Sequence, residues 1–229
     1  MREIEYVAPP IRALFEDPVR RIDRITRFAG DPVRTPEYLS MHKGWIAFYA
    51  FNFAERFVRI HGGKLDYEKL FRLVALHDVE ECVTADVPMR VKRAIPEAYN
   101  AFMAAQYEQV AALSKSLGSE AYADAMQQHD GSPEAWICET ADLLCVLAKF
   151  LDEIAVGNRA VLHFLPHLDG DLAASVQRGN WILALDATEL ATDVNDLLSE
   201  ALSDDEYMML GPWGDAFVNR SKHRSPDAD

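Results

Sequence analysis

The chain has 229 residues, is 49% hydrophobic and 26% charged, and carries a formal net charge of −14. That length and mix suit a soluble globular protein that buries its core without disulfides, and the acidic excess argues against a nucleic-acid polymer as partner, because phosphate backbones are repelled. No apolar run reaches the roughly 20 residues that span a bilayer, which argues against a membrane protein, and the start, with Arg2, Glu3 and Glu5, has no signal-type apolar segment.

Helical periodicity dominates the chain. A first helix is expected over 19–29, closed by Gly30-Asp31-Pro32. Residues 34–40 read as a loop broken by Pro36. A long aromatic-rich helix over 41–60 is stopped by Gly62-Gly63. The next, over 66–84, runs into Asp86-Val87-Pro88, and another covers 96–117, ended by Gly118. The clearest helix spans 133–156. Ser132 suits its N-cap, Pro133 its first turn and Gly157-Asn158 its end. Trp136, Thr140, Leu143, Leu147, Phe150 and Ile154 form its core stripe. A further helix is expected over 181–198, and the polar stretch 221–229 reads as a disordered tail. The chain is expected to be all-α, with a core over 1–158, a helical extension over 159–220 packed on it, and the tail. Cys82, Cys138 and Cys145 have no metal-finger spacing and read as reduced thiols of a cytoplasmic protein.

Chemistry concentrates in Leu73-Val-Ala-Leu-His77-Asp78-Val-Glu-Glu81. On a continuous helix, His77 and Glu81 are four apart and Asp78 and Glu81 three apart, so the three share one face. Leu70 and Val74 occupy that face one turn earlier. An apolar stripe that turns into imidazole and carboxylate is costly unless something pairs with it, and a divalent cation would. Glu80 points elsewhere and reads as solvated. Asp142 poses the same problem inside Ala141-Asp142-Leu143-Leu144-Cys145, and His42 opens the aromatic helix beside Trp45, Ile46 and Tyr49. Each residue alone has a plainer reading, as a cap, a chance pair or a hydrogen-bonded acid. Together, on three helices, they make a mixed nitrogen and oxygen set suited to Mn²⁺, Co²⁺, Fe²⁺, Ni²⁺, Mg²⁺ or Zn²⁺.

The order His42, then His77-Asp78, then Asp142 resembles the signature of the HD superfamily. More narrowly, the chain is similar to the bacterial HD-domain 5′-deoxyribonucleotidases, in His77-Asp78-x-x-Glu81-x-x-Thr84-x-Asp86-x-Pro88-x-x-Val91-Lys92 and in Asp142 through Leu151-x-Glu153-x-Ala155-x-Gly157-Asn158. Arg27-Phe28 stands fifteen residues before His42, as the family's Arg-aromatic pair does. The resemblance covers about 24–158. Phe28 replaces the family's Trp, and Met41-His42-Lys43 replaces its Glu-His-Ser.

The resemblance implies an all-α HD fold with the metal site between core helices, and His42, His77, Asp78 and Asp142 as ligands of one divalent ion. It implies hydrolysis of the 5′-phosphate of deoxynucleoside monophosphates. Glu81 would handle the proton of the attacking water or of the leaving oxygen, and Asp86 would contact the sugar or share that work. Arg27 would clamp phosphate through its planar fork. Phe28 would stack on sugar or base, or else simply pack. Lys92 adds a cation, or reads equally as a solvated lysine. A triphosphate-releasing deoxynucleotide hydrolase of the phage type is a rival, with Lys43, directly after a ligand, and Lys92 among the cations it would need. A non-hydrolytic nucleotide-binding regulator is a second; the presence of Glu81 beside a full ligand set counts against it. A small nucleotide is the expected partner, and the fold is compatible with a homo-oligomer.

Overall fold

The computed structural model describes residues 19–87, 95–117 and 130–222. Among them the secondary structure is helical apart from one isolated antiparallel bridge, Thr26 with Tyr38. By contact density the chain divides into two units, one drawn from Met1–Asp31, Pro36–Gly44 and Phe71–Asp130, the other from Pro32–Thr35, Trp45–Leu70 and Gly131–Asp229.

The first unit contains a 3₁₀ turn at Val19–Arg24, the start of helix α1 (Leu39–Arg59), most of α2 (Tyr67–Leu76), α3 (Glu81–Thr84) and α4 (Pro96–Leu117). The α-helix expected over 19–29 is not formed. Main-chain groups after the 3₁₀ turn are engaged elsewhere: Arg27 N–H donates to the Glu37 carbonyl at 2.8 Å, and Leu39 N–H to that of Ile25 at 2.8 Å. These two bonds lay 25–27 beside 37–39 as a two-stranded clip, a geometry no helix can share. Phe28 (φ 59°) and Gly30 (φ 80°) then turn the chain away. Leu39, Leu73, Val74, Val79, Cys82 and Val110 form the buried apolar part of this unit. The helix expected over 66–84 is also divided, at residues 77–80. The helix expected over 96–117 is present, whereas Gly118 lies outside the described residues.

The second unit is built on α5 (Pro133–Ala155). Ser132 caps it, its hydroxyl accepting from Ala135 N–H at 3.3 Å, and Gly157 (φ 82°) ends it, as the sequence indicates. Trp136, Thr140, Leu147, Phe150 and Ile154 of the expected stripe are buried, and Leu143 is half-buried. Around α5 lie a 3₁₀ turn at Arg159–Phe164, α6 (Leu165–Arg178), α7 (Trp181–Leu185) and α8 (Ala187–Ala201), followed by α9 (Asp204–Leu210) and α10 (Asp215–Ser221). The single helix expected over 181–198 breaks at Asp186. Its carboxylate is held by the Arg56 fork, with Nε to Oδ2 at 3.1 Å and Nη2 to Oδ1 at 2.9 Å. Ser221, the expected start of the tail, closes α10, and 223–229 lie outside the described residues. Cys82, Cys138 and Cys145 are buried and free.

One buried acid fastens a loop to α5. Glu153, 1% exposed, accepts from Arg34 N–H at 2.8 Å, Thr35 N–H at 2.9 Å, Lys149 Nζ at 2.8 Å and Asn158 Nδ2 at 2.7 Å. Lys149 and Asn158 also donate to the carbonyls of Thr35 and Pro32. Burial by itself raises the Glu153 carboxyl, but the hydrogen bonds from Lys149, Arg34, Asn158 and Thr35 outweigh it and hold the pKa at about 2, below the ordinary 4.5. The folded value lies below the unfolded one. The ionised acid therefore stabilises the fold above about pH 4.5, and this is lost as pH falls toward about 2. Glu153→Gln is expected to cost about 3 kcal/mol at neutral pH, because it weakens the partner of a buried lysine. The difference from wild type should shrink on acidification, which thermal denaturation as a function of pH checks.

Candidate metal centre

On an unbroken helix, neighbours such as His77 and Asp78 point about 100° apart and cannot face one ion. The structure resolves this by stopping α2 at Leu76. Main-chain bonds then shorten to three-residue spacing: Val79 N–H to Leu76 O at 3.1 Å, Glu81 N–H to Asp78 O at 3.1 Å and Cys82 N–H to Val79 O at 3.2 Å. Asp78 takes a left-handed backbone, φ 53°, which aspartate tolerates better than most residues. This corrects the expectation that His77, Asp78 and Glu81 share a helical face; a tight turn, not a stripe, brings His77 and Asp78 together. Lys43 Nζ donates to the carbonyl of His77 within the break.

The turn sets two imidazoles against one carboxylate oxygen. Asp78 Oδ2 lies 3.3 Å from His77 Nε2 and 3.5 Å from His42 Nε2. His42, in the first turn of α1, is 0% exposed, and His77 is also buried. One donor atom from each of the three lies within 4.8 Å of the others. Donors bound to a first-row cation at about 2.1 Å stand roughly 3.0–3.4 Å from one another in octahedral or tetrahedral sites. The two separations from Asp78 Oδ2, 3.3 and 3.5 Å, lie at or close to those edges, so this His/Asp cluster could bind a metal. Asp142 belongs to the second unit, where it sits half-buried on α5 next to buried Ala141.

Arg27 and Glu37, side by side on the clip, stand at the other ring nitrogen of His42. Arg27 Nη1 meets Glu37 Oε1 at 3.2 Å and also contacts His42 Nδ1; Glu37 Oε1 is 3.7 Å from the same nitrogen. The Arg27 guanidinium carbon lies 5.1 Å from the centroid of the half-buried Phe28 ring, a cation–π distance. Asp86 is half-buried and its Oδ2 accepts from Phe28 N–H at 3.3 Å. Glu81 is buried at the first position of α3. Lys92 lies outside the described residues. Two acids escaped the sequence reading. Glu37 is buried, though an acid in a loop after Pro36 gives no periodic signal. Glu80 is half-buried rather than solvated, and burial, then the charge of Asp78, raises its carboxyl.

The family model for 5′-deoxynucleotidases of YfbR-like type matches residues 14–175. The chain belongs to the YfbR-like family. Among YfbR-like relatives, 5′-deoxynucleotidase YfbR of Shigella dysenteriae is 30% identical over 146 residues, covering 62% of this chain and 73% of that protein. A 5′-deoxynucleotidase of Pectobacterium atrosepticum is 30% identical over 135 residues, covering 55% and 65%; one from Erwinia tasmaniensis is 31% identical over 120 residues, covering 48% and 58%. The match thus spans less than two thirds of the last two proteins. In fold, the chain is similar to an HD-domain phosphohydrolase from Listeria innocua, with TM-score 0.66 at 14% identity over 93% of this chain and 98% of that one. It is also similar to the PH0347 protein of Pyrococcus horikoshii, with TM-score 0.61 at 19% identity over 82% and 99%. The expected all-α HD fold is borne out.

Among the described residues of this YfbR-like chain, the non-glycine positions with positive φ are Phe28, Asp78 and Ala85. Each is a candidate site residue or adjoins one. Ala85 closes α3 at φ 63°, ψ 167°, a conformation nearly reserved for glycine, and delivers the chain to Asp86. Strain of this kind costs about 1–3 kcal/mol, partly offset by the lower unfolded-state entropy of alanine. Ala85→Gly should therefore stabilise the protein by about 1 kcal/mol, read as a higher urea midpoint with unchanged slope.

Proposed function

We propose that this protein hydrolyses the 5′-phosphate of 2′-deoxynucleoside monophosphates, with one divalent cation held by His42, His77, Asp78 and Asp142. The observation that carries the reading is the convergence of His42 Nε2 and His77 Nε2 on one oxygen of Asp78 at cation-ligand spacing. Asp142 is taken as the fourth ligand because the order His42, His77-Asp78, Asp142 resembles the HD signature. The likeness to relatives named as 5′-deoxynucleotidases supports the substrate class. Imidazole and carboxylate together suit Mn²⁺, Co²⁺, Fe²⁺, Ni²⁺, Mg²⁺ or Zn²⁺. Such a cation, when bound, screens phosphate charge and acidifies water.

The chain's own residues divide the remaining work. Glu81, buried three residues after Asp78, takes the proton of the attacking water or returns it to the leaving 5′-oxygen. Asp86 holds the backbone of Phe28 and, with its second oxygen, accepts from the sugar. Arg27 brings donors for a single phosphate next to His42. Phe28 covers the 2′ side of the sugar, where a ribose hydroxyl would be left desolvated at a cost of about 1–3 kcal/mol. Lys43, engaged on the His77 carbonyl, and Lys92 supply further positive charge. No helix among the described residues is long and apolar enough to cross a membrane, and buried free thiols suit a reducing compartment such as the cytoplasm.

His77→Ala and Asp78→Ala are expected to lose bound metal and activity together, measured by metal analysis and phosphate release. Turnover by chelator-stripped protein would sink the metal reading. Glu81→Gln should keep its metal while kcat drops about 10²-fold; a variant that loses metal and regains full kcat on resupply makes Glu81 a ligand instead. Competition among dAMP, AMP and dATP decides the substrate. The expected order is dAMP first. A higher kcat/KM for dATP with intact triphosphate released overturns it in favour of a triphosphohydrolase, and tight binding without turnover in favour of a regulator.

A further inference from the structure

We propose that Glu37 is the positioning residue of His42: it accepts the proton on Nδ1 and so fixes the imidazole with the Nε2 lone pair turned to the cation. The inference rests on His42 being a ligand, and it adds a residue that no motif in the chain points to. A neutral imidazole carries one proton. His42 directs Nε2 toward Asp78 Oδ2, 3.5 Å away, so Nε2 is its ligand atom. Binding through that lone pair puts the proton on Nδ1, inside a site where the residue is 0% exposed. A buried N–H needs an acceptor. Arg27, which touches Nδ1, is donor-only and cannot serve. Glu37 Oε1, 3.7 Å from Nδ1 and 8% exposed as a residue, can. A closure of about 0.6 Å brings it to hydrogen-bond distance.

The same four groups describe two settings. In one, Arg27 Nη1 donates to Nδ1, and the proton on Nε2 faces the Asp78 carboxylate. In the other, Nδ1–H donates to Glu37, Arg27 keeps its 3.2 Å bond to Glu37 alone, and the Nε2 lone pair faces the cation. Cation binding selects the second setting, because two N–H groups cannot point at each other across Arg27 and His42. Glu37 also offsets the charge of Arg27, whose side chain is only 12% exposed. The clip between 25–27 and 37–39 keeps the two residues opposed.

Two measurements on the full chain test this, with Zn²⁺ as the probe. The first is nitrogen-15 histidine NMR of the wild type. The Zn²⁺-loaded protein should show His42 with a slowly exchanging proton on Nδ1; a proton on Nε2 overturns the proposal without any variant. The second is Zn²⁺ affinity by competition with a chromophoric chelator. Glu37→Met should weaken binding about 10- to 100-fold and abolish the slow Nδ1–H signal. Glu37→Gln, which keeps an acceptor oxygen, should recover part of both. An unchanged affinity in Glu37→Met, or a retained Nδ1–H signal, overturns the role of Glu37. If Glu37→Met does not fold, Glu37→Gln decides: a loss in both affinity and the Nδ1–H signal supports the role of Glu37, and wild-type values in both overturn it. His42→Ala separates the two levels of argument. Wild-type affinity in that variant removes His42 from the ligand set. Lost affinity there beside normal affinity in Glu37→Met leaves the ligand and removes only Glu37.

Discussion

A histidine and the aspartate that follows it cannot point the same way from an α-helix, and the first unit is organised around lifting that restriction. The chain leaves the helix after Leu76, passes through a left-handed aspartate and resumes helix at Glu81. The break returns polar main-chain groups to an apolar neighbourhood, where each needs a partner. Three-residue bonds take several of them, and Lys43, one position after His42, covers the His77 carbonyl. The residue that resembles a substrate contact in sequence thus has a definite architectural use as well.

Buried charge is the second constraint, and each unit answers it by setting opposite charges and polar groups together. In the first, Arg27 bonds Glu37 and contacts His42 Nδ1, and the Asp78 carboxylate stands 3.5 Å from His42 Nε2. In the second, Glu153 gathers four donors and ties 32–35 to α5. Leaving one member of such a network unpartnered costs several kcal/mol, so both sets hold their loops in one arrangement. The motif from Leu151 to Asn158, which resembles part of the nucleotidase signature, is therefore a fastening. The donors of that fastening include the backbone of Arg34 and Thr35, which lead along the chain to Glu37 and His42.

The local strain follows the same logic. Phe28, Asp78 and Ala85 sit in left-handed conformations that cost free energy, next to residues that chemistry requires. Phe28 N–H on Asp86 joins two of these turns, so the Arg-aromatic pair and the acid beyond α3 hold each other. A ligand sugar and phosphate would meet groups already fixed by one another, the condition under which orientation contributes most to rate.

Sequence by itself determined the class of fold, the helices α1, α4 and α5, the last with its caps, and the candidate ligands. Those signals are local: apolar spacing, a Ser-Pro start, a glycine stop, and charged side chains where a stripe should be greasy. The remainder depended on contacts between distant segments. The expected helix over 19–29 gave way because 25–27 found main-chain partners at 37–39. The expected helix over 66–84 broke because two neighbouring side chains had to face one point. Glu80 looked solvated and Glu37 carried no signal, since burial of an acid is set by what folds over it and not by its own position. The tertiary structure alone decided that Glu37 and Arg27 meet at Nδ1 of His42, because two extended segments ten residues apart are brought together only by the bonds between them.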